Sequence, residues 1–237
     1  MNVSVVQIAV VILAGLVGGF VNTFAGGGSF LTLAALQMAG LPMVMANGTN
    51  RIALVAQNAA AVAGFRSKGY VDWRLSLSLG IPALVGAVVG AYLVIDLDEA
   101  IFSRILAVAM LVMLLILIFR PEKRIKPRDI QSNWRSRLVT IVVMFAIGLY
   151  GGAIQAGVGL LSIAALVLIT GLDLVKINSL KVFIIGAFSV VALLTFALRG
   201  QVDWVLGAVM AVGNSVGGWL ASRLQVAKGP ALVRWVL

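Results

Sequence analysis

The chain contains no cysteine and no histidine, and only 8 of its 237 residues are acidic. These gaps exclude whole classes of chemistry. Without thiols or imidazoles there are no disulfides, no Cys/His metal sites, no Ser-His or Cys-His nucleophile pairs and no ordinary switch titrating near neutrality. No apolar stretch carries an Asp or Glu in its interior. Proton pumps and divalent-cation transporters place carboxylates or histidines at such positions, so a cationic substrate is disfavoured. Charged residues make up 11% of the chain, well below the ~25% of a soluble domain.

What fills the chain is apolar: 62% of residues are hydrophobic and the mean hydropathy is +1.11. The formal charge of +10 falls mainly between the apolar runs and lacks the aromatic interleaving of a nucleic-acid surface. The solvent is therefore a bilayer, and no nucleic acid is expected as a partner.

Seven runs are long enough to span it: Val5 to Phe24, Asn47 to Phe65, Leu75 to Ile95, Ile101 to Phe119, Leu138 to Ala153, Val175 to Leu198 and Val202 to Leu220. The first lacks a basic flank and reads as a retained segment rather than a signal peptide. Ser29 to Ala39 and Leu160 to Thr170 are too short to cross, and each follows a glycine cluster. They predict tilted, broken or re-entrant helices.

The chain repeats. At an offset of 131 residues Gly26 falls on Gly157, Gly28 on Gly159, Asn47 on Asn178, Phe65 on Phe196 and Gly86 on Gly217. Gly69-Tyr-Val-Asp-Trp73 likewise matches Gly200-Gln-Val-Asp-Trp204. Upstream the offset is 133, pairing Gly15, Gly18 and Gly19 with Gly148, Gly151 and Gly152, so the first half carries two extra residues near positions 20–25.

Loop charge sets the orientation. Arg66, Lys68 and Arg74 lie in one loop, Asp96, Asp98 and Glu99 in the next, and Arg120, Lys123, Arg124, Lys126, Arg128, Arg135 and Arg137 in the one after. The positive-inside rule puts the first and third in the cytoplasm. In the second half, Arg199 and Asp203 cancel whereas Arg223 and Lys228 do not, placing the turn before Val202 outside and the turn after Leu220 inside. Equivalent loops thus face opposite sides. The expected fold is an all-α polytopic membrane protein with two inverted-topology repeats of about five helical elements each, short or broken after the glycine clusters. The expected boundaries are residues 1–120, a basic cytoplasmic linker 121–137 and residues 138–237, the last helix being incomplete.

Three constellations stand out. Gly26, Gly27, Gly28 and Ser29, with partners Gly157 and Gly159, permit unwound backbone and a short helix whose N–H groups point inward, where an anion docks in inverted-repeat transporters. Small-residue helix packing explains the same glycines equally well. Asn47, Thr49, Asn50 and Arg51, and Asn178, Ser179 and Lys181, each open a long apolar segment. There the Asn would cap the helix, and the cation would lie in a first turn that the dipole disfavours unless an anion visits; a snorkelling side chain is the alternative. Asp72-Trp73 and Asp203-Trp204 read as helix caps with interface anchors. Asn22 and Gln155 align in the glycine stretches and could donate to an oxyanion or to freed carbonyls; Ser162 is a weaker candidate.

At these motifs the sequence resembles the TauE/SafE family of sulfite exporters. The resemblance rests on GGFVNTFAGGGSFLTL (Gly18 to Leu33), AGLPMVMANGTNRIAL (Ala39 to Leu54), FRSKGYVDW (Phe65 to Trp73), GLYGGAIQAGVGLLSIAAL (Gly148 to Leu166) and GQVDW (Gly200 to Trp204). One departure is Gly157-Val-Gly159 where a triple glycine is expected. The resemblance implies a multi-pass transporter of the bacterial inner membrane that exports sulfite or small organosulfonates, with another small oxyanion as a variant.

The combined expectation is one anion site formed by Asn22, Gly26 to Ser29, Asn47, Thr49, Asn50 and Arg51 with Gln155, Gly157, Gly159, Asn178 and Lys181. In it Arg51 grips the anion bidentately, Lys181 adds a point charge, and one repeat rocks against the other. No cofactor or metal is called for. Proton coupling and uniport both stay open, as does a homo-oligomer. Two competing readings are a non-transporting scaffold subunit and an intramembrane enzyme, the latter needing Ser162 to pair with Lys181.

Overall fold

The computed structural model describes residues 5–119 and 134–236. Among the described residues ten helices follow one another: α1 (Val5–Phe24), α2 (Ser29–Met38), α3 (Met43–Arg66), α4 (Trp73–Val94), α5 (Glu99–Phe119), α6 (Trp134–Ala153), α7 (Val158–Thr170), α8 (Leu174–Leu198), α9 (Trp204–Lys228) and α10 (Pro230–Val236). Among the described residues there is no strand. Nearly all the basic linker lies outside the described residues, but α6 begins at Trp134, inside the stretch expected to be linker.

Five helices, α1, α4, α6, α8 and α9, have the length and apolarity of a membrane span. The segment expected from Asn47 is long enough as α3, yet it is too polar to pass that test, because it carries Asn47, Asn50, Arg51, Gln57 and Asn58. All five are buried. α3 is thus shielded from lipid by its neighbours, and the molecule is apolar outside and polar inside: Leu13, Leu77, Ile81, Val142, Leu194 and Val212 are exposed while these amides are not. That is the arrangement in which polar groups satisfy one another away from hydrocarbon.

The long helices pack in the sequence α1–α9–α3–α8–α4–α6, with α2 against α1 and α3, and α7 against α6 and α8. Replacing each helix by its repeat equivalent reverses this order and leaves it otherwise unchanged. α4 starts at Trp73 and α9 at Trp204, α3 at Met43 and α8 at Leu174, all at the 131-residue offset. Glycines explain the closest crossings. A Cβ at Gly15 or Gly19 would strike the α9 backbone at Met210 and Asn214, and one at Gly213 or Gly217 would strike α1 at Ile12 and Leu16. On the other side Gly148 and Gly152 face Ala83 and Ala87, while Gly86 and Gly90 face Phe145 and Leu149. This is small-residue packing, in which backbones approach because nothing intervenes.

Loop contacts fix the relative directions. Glu99 accepts hydrogen bonds from the Met43 and Val44 N–H groups at the start of α3, while Asp96 of the same loop pairs with Arg199 (3.0 Å) at the end of α8. α3 therefore begins where α8 ends. At the opposite face Arg223 of α9 donates to Ser67 Oγ (2.6 Å), just before α4. Both contacts join loops that the charge pattern assigns to the same side.

Candidate functional site

The two glycine clusters mark real breaks. Between α1 and α2 lie residues 25–28, and between α6 and α7 residues 154–157. Gly26 has φ +86° and Gly157 φ +74°, the left-handed region where a side chain is disfavoured. The breaks meet: a Cβ on Gly26 would collide with Gly159 backbone, and one on Gly159 with Gly26. Gly28 packs as tightly on Gly18 of α1, whereas a Cβ on Gly27 would meet nothing closer than the Phe30 ring at 3.9 Å. Of the triple glycine, two positions are sterically required and one is not.

Each break leaves the last carbonyls of a membrane helix without intrahelical donors. α3 and α8 supply the donors, and they do so across the repeats. Arg51 donates through Nη1 to Gly151 O (3.2 Å) and through Nη2 to Gly152 O (2.5 Å), and Asn47 Nδ2 donates to Ala153 O (2.8 Å). These are the final residues of α6. In the mirrored arrangement Lys181 Nζ donates to Asn22 O (3.1 Å) and Thr23 O (2.9 Å), and Asn178 Nδ2 to Phe24 O (3.1 Å), at the end of α1. A cation at a helix C-terminus meets the negative end of the dipole.

This arrangement corrects three expectations. Asn47 and Asn178 do not cap their own helices: α3 starts at Met43 after Pro42, and α8 at Leu174, where Asp173 accepts from the Val175 and Lys176 N–H groups. Arg51 and Lys181 then lie about two turns inside their helices, not in a first turn opposed by the dipole. The fork of Arg51 is occupied by two carbonyls, so it cannot grip an anion bidentately in this state. The Asp72 and Asp203 caps are as expected, accepting from the Leu75 and Leu206 N–H groups.

Charge balance gives the site its chemistry. Arg51 and Lys181 are both essentially fully buried, and among the described residues the one ion pair is Arg199 with Asp96, at the surface. Carbonyl dipoles solvate the two cations but do not neutralise them. Around them sit buried polar atoms without a protein partner: both side-chain atoms of Asn50, both of Gln155, Oδ1 of Asn47 and of Asn178, and Nε of Arg51. Each such atom costs ~1–3 kcal/mol unless something pairs with it. Gln155 is also the one non-glycine residue at positive φ (+61°) among the described residues, so its amide is held at a break by the surrounding packing.

Other expected members fall elsewhere. Thr49 Oγ1 accepts from the Asp203 N–H (2.9 Å) at the start of α9, away from the breaks. Ser162 Oγ donates within α7 to Val158 O (2.8 Å); with Lys181 bound to carbonyls, no Ser-Lys pair exists. Asn22 Nδ2 donates to Ser29 Oγ (3.2 Å) and to Gln57 Oε1 (3.4 Å). That bond leads to a polar track not anticipated. Gln57 Oε1 also accepts from Asn214 Nδ2 (3.3 Å), its Nε2 donates to Thr23 Oγ1 (3.4 Å), and Asn178 Nδ2 donates to Gln225 Oε1 (2.6 Å). The signal is present in the sequence, as lone amides within apolar runs.

A cleft and a groove at the molecular surface border α4 and α6 rather than this cluster, whose cations are buried. A family model described as "Sulfite exporter TauE/SafE" matches residues 11–237. Among curated proteins the chain is 28% identical over 234 residues to a "Probable membrane transporter protein" of Haemophilus influenzae, covering 99% of this chain and 91% of that one. It is 26% identical to "Probable membrane transporter protein ORF9" of Sinorhizobium sp, covering 97% and 87%, and 27% identical to "Probable membrane transporter protein YfcA" of Escherichia coli K12, covering 98% and 86%. No solved structure matches the chain significantly.

Proposed function

The chain belongs to the sulfite exporter TauE/SafE family and is a multi-pass membrane transporter, not an enzyme; from that premise we propose that it exports sulfite or a small organosulfonate by alternating access. The observation that carries the anionic substrate is the pair of buried cations, Arg51 and Lys181, facing no carboxylate among the described residues. They raise the potential where the starts of α2 and α7 direct backbone N–H groups inward.

In this reading the partnerless amides of Asn50 and Gln155, with the Gly27 N–H, are the direct ligands, replacing the hydration shell of the oxyanion. Arg51 and Lys181 act mainly through charge while anchoring the broken helix ends. The antiparallel equivalents α3 and α8 support an inverted repeat, in which one half rocks against the other and the Gly26–Gly159 contact is the pivot. The absence of histidine and of interior carboxylates supports flux driven by the anion gradient and membrane potential over a proton relay.

Sulfite protection of the purified protein against heat tests the ligand assignment. Asn50→Ala and Gln155→Ala, each compared with its own sulfite-free melting temperature, should lose most of the sulfite-induced rise, since neither amide bonds to the protein. An undiminished rise in both variants would remove the two amides from the site.

A further inference from the structure

One surface cleft lies where α4 and α6 both begin, apart from the buried cations. It encloses ≈ 660 Å³ and is lined by Arg74, Arg137, Asp72, Ser78 and Thr140 together with apolar residues. Arg74 and Arg137 are exposed, and Asp72 is engaged in capping α4 through the Leu75 N–H (3.0 Å). Two cations against one carboxylate leave the mouth of the cleft positive. Ile141 lines this cleft and also a second, adjoining groove of ≈ 370 Å³ whose walls are wholly apolar, among them Pro82, Val85, Val142 and Phe145. Pro82 has no N–H for the Ser78 carbonyl, which loosens α4 at the groove.

Polar cleft and apolar groove thus follow each other along one α4–α6 seam on the lipid-facing surface. Trp73 and Trp134, both exposed, begin the two helices and mark the depth of the lipid headgroups.

We propose that this seam binds one anionic phospholipid, its phosphate between Arg74 and Arg137 and an acyl chain along Pro82, Val85 and Phe145. A free phosphate would explain the arginines but leave the groove without a role. A zwitterionic lipid would fill the groove without using the net charge. The site is independent of the transported anion and would act as a fixed point on α4 and α6, which belong to different halves.

The test uses the full chain in nanodiscs of phosphatidylcholine containing a minor share of phosphatidylglycerol, with the phosphatidylglycerol that survives purification counted by mass spectrometry. Each arginine contributes a factor of about five to the binding of an anionic headgroup, so Arg74→Gln with Arg137→Gln should weaken retention roughly 25-fold. Lys228→Gln, which removes an exposed cation elsewhere, should leave it unchanged. Val85→Trp keeps both arginines and fills the groove, and should also lose the lipid. Retention equal to the parent in the double arginine variant would overturn the site. So would protection against heat by inorganic phosphate equal to that by phosphatidylglycerol and insensitive to Val85→Trp, the behaviour of a bare anion site.

Discussion

The seam formed by α1, α3 and α9 and its repeat equivalent formed by α6, α8 and α4 share a backbone arrangement but not an interior. Both are closed by glycines against backbone, and both have a broken helix end held by a cation from the opposite repeat. In the first seam Gln57, Asn214 and Gln225 link Asn22, Thr23 and Asn178. The residues at the same repeat positions in the second seam are Phe188, Ala83 and Val94, all buried. The cations follow the same division: Lys181 reaches into the polar seam, whereas Arg51 reaches into the apolar one and lies 4.8 Å from the Phe196 ring. A compact ammonium suits a hydrogen-bonded environment, and a weakly hydrated planar guanidinium suits an aromatic one. The two seams thus agree where packing demands it and differ in their polar interior. On the proposed alternating-access reading, the polar seam would be the route for a hydrated anion and the apolar seam its seal.

The largest effects should come from what the seams share. Gly26→Ala and Gly159→Ala each put a Cβ into backbone, where no rotamer can relieve the overlap, and should cost ~3 kcal/mol or more and abolish transport. Gly27→Ala, which meets only the Phe30 ring at 3.9 Å, should fold normally; the melting temperatures of the three variants decide this. Next come the cations. Arg51→Gln and Lys181→Gln each free carbonyls at a helix end, at a cost of ~1–3 kcal/mol, and each should also lower anion flux by more than that instability explains. Arg51→Lys should fail to restore the parent, since one ammonium replaces a planar fork.

Smaller effects separate the seams. Gln57→Leu orphans the amide of Asn214 and leaves that of Asn22 with Ser29 alone and should cost ~1–3 kcal/mol and slow flux, whereas Phe188→Leu, a loss of packing alone, should cost ~1–1.5 kcal/mol with flux retained. Equal flux losses would dissolve the distinction between route and seal. The smallest effect belongs to the surface: Asp96→Asn breaks the pair with Arg199, whose side chains are 50% and 67% exposed, and should change stability by less than ~1 kcal/mol.

The breaks and the Asp-Trp helix starts were legible because each depends on local residues: glycines that permit positive φ, and aspartates that reach their own helix. The roles of Asn47, Arg51, Asn178 and Lys181 were not legible, because their acceptors are backbone carbonyls in the other repeat, and a carbonyl leaves no mark on the sequence. The same holds for the start of α3. Its first N–H groups are met by Glu99, more than fifty residues away, so the apolar run seemed to open at Asn47. Register alone also misleads, since it aligns Lys181 with Asn50 and Arg51 with Val182, while the hydrogen bonds make Arg51 and Lys181 equivalent.

The central claim is that two uncompensated buried cations make the interior a site for an anion. Its most direct test is efflux of radiolabelled sulfite from proteoliposomes holding matched amounts of folded parent, Lys181→Gln or Arg51→Gln. Saturable efflux is expected in the parent, with a loss of roughly tenfold or more in each variant, the equivalent of about 1.4 kcal/mol in the rate. Undiminished efflux in both variants, with only their melting temperatures lowered, would contradict it and leave the cations as caps for broken helices.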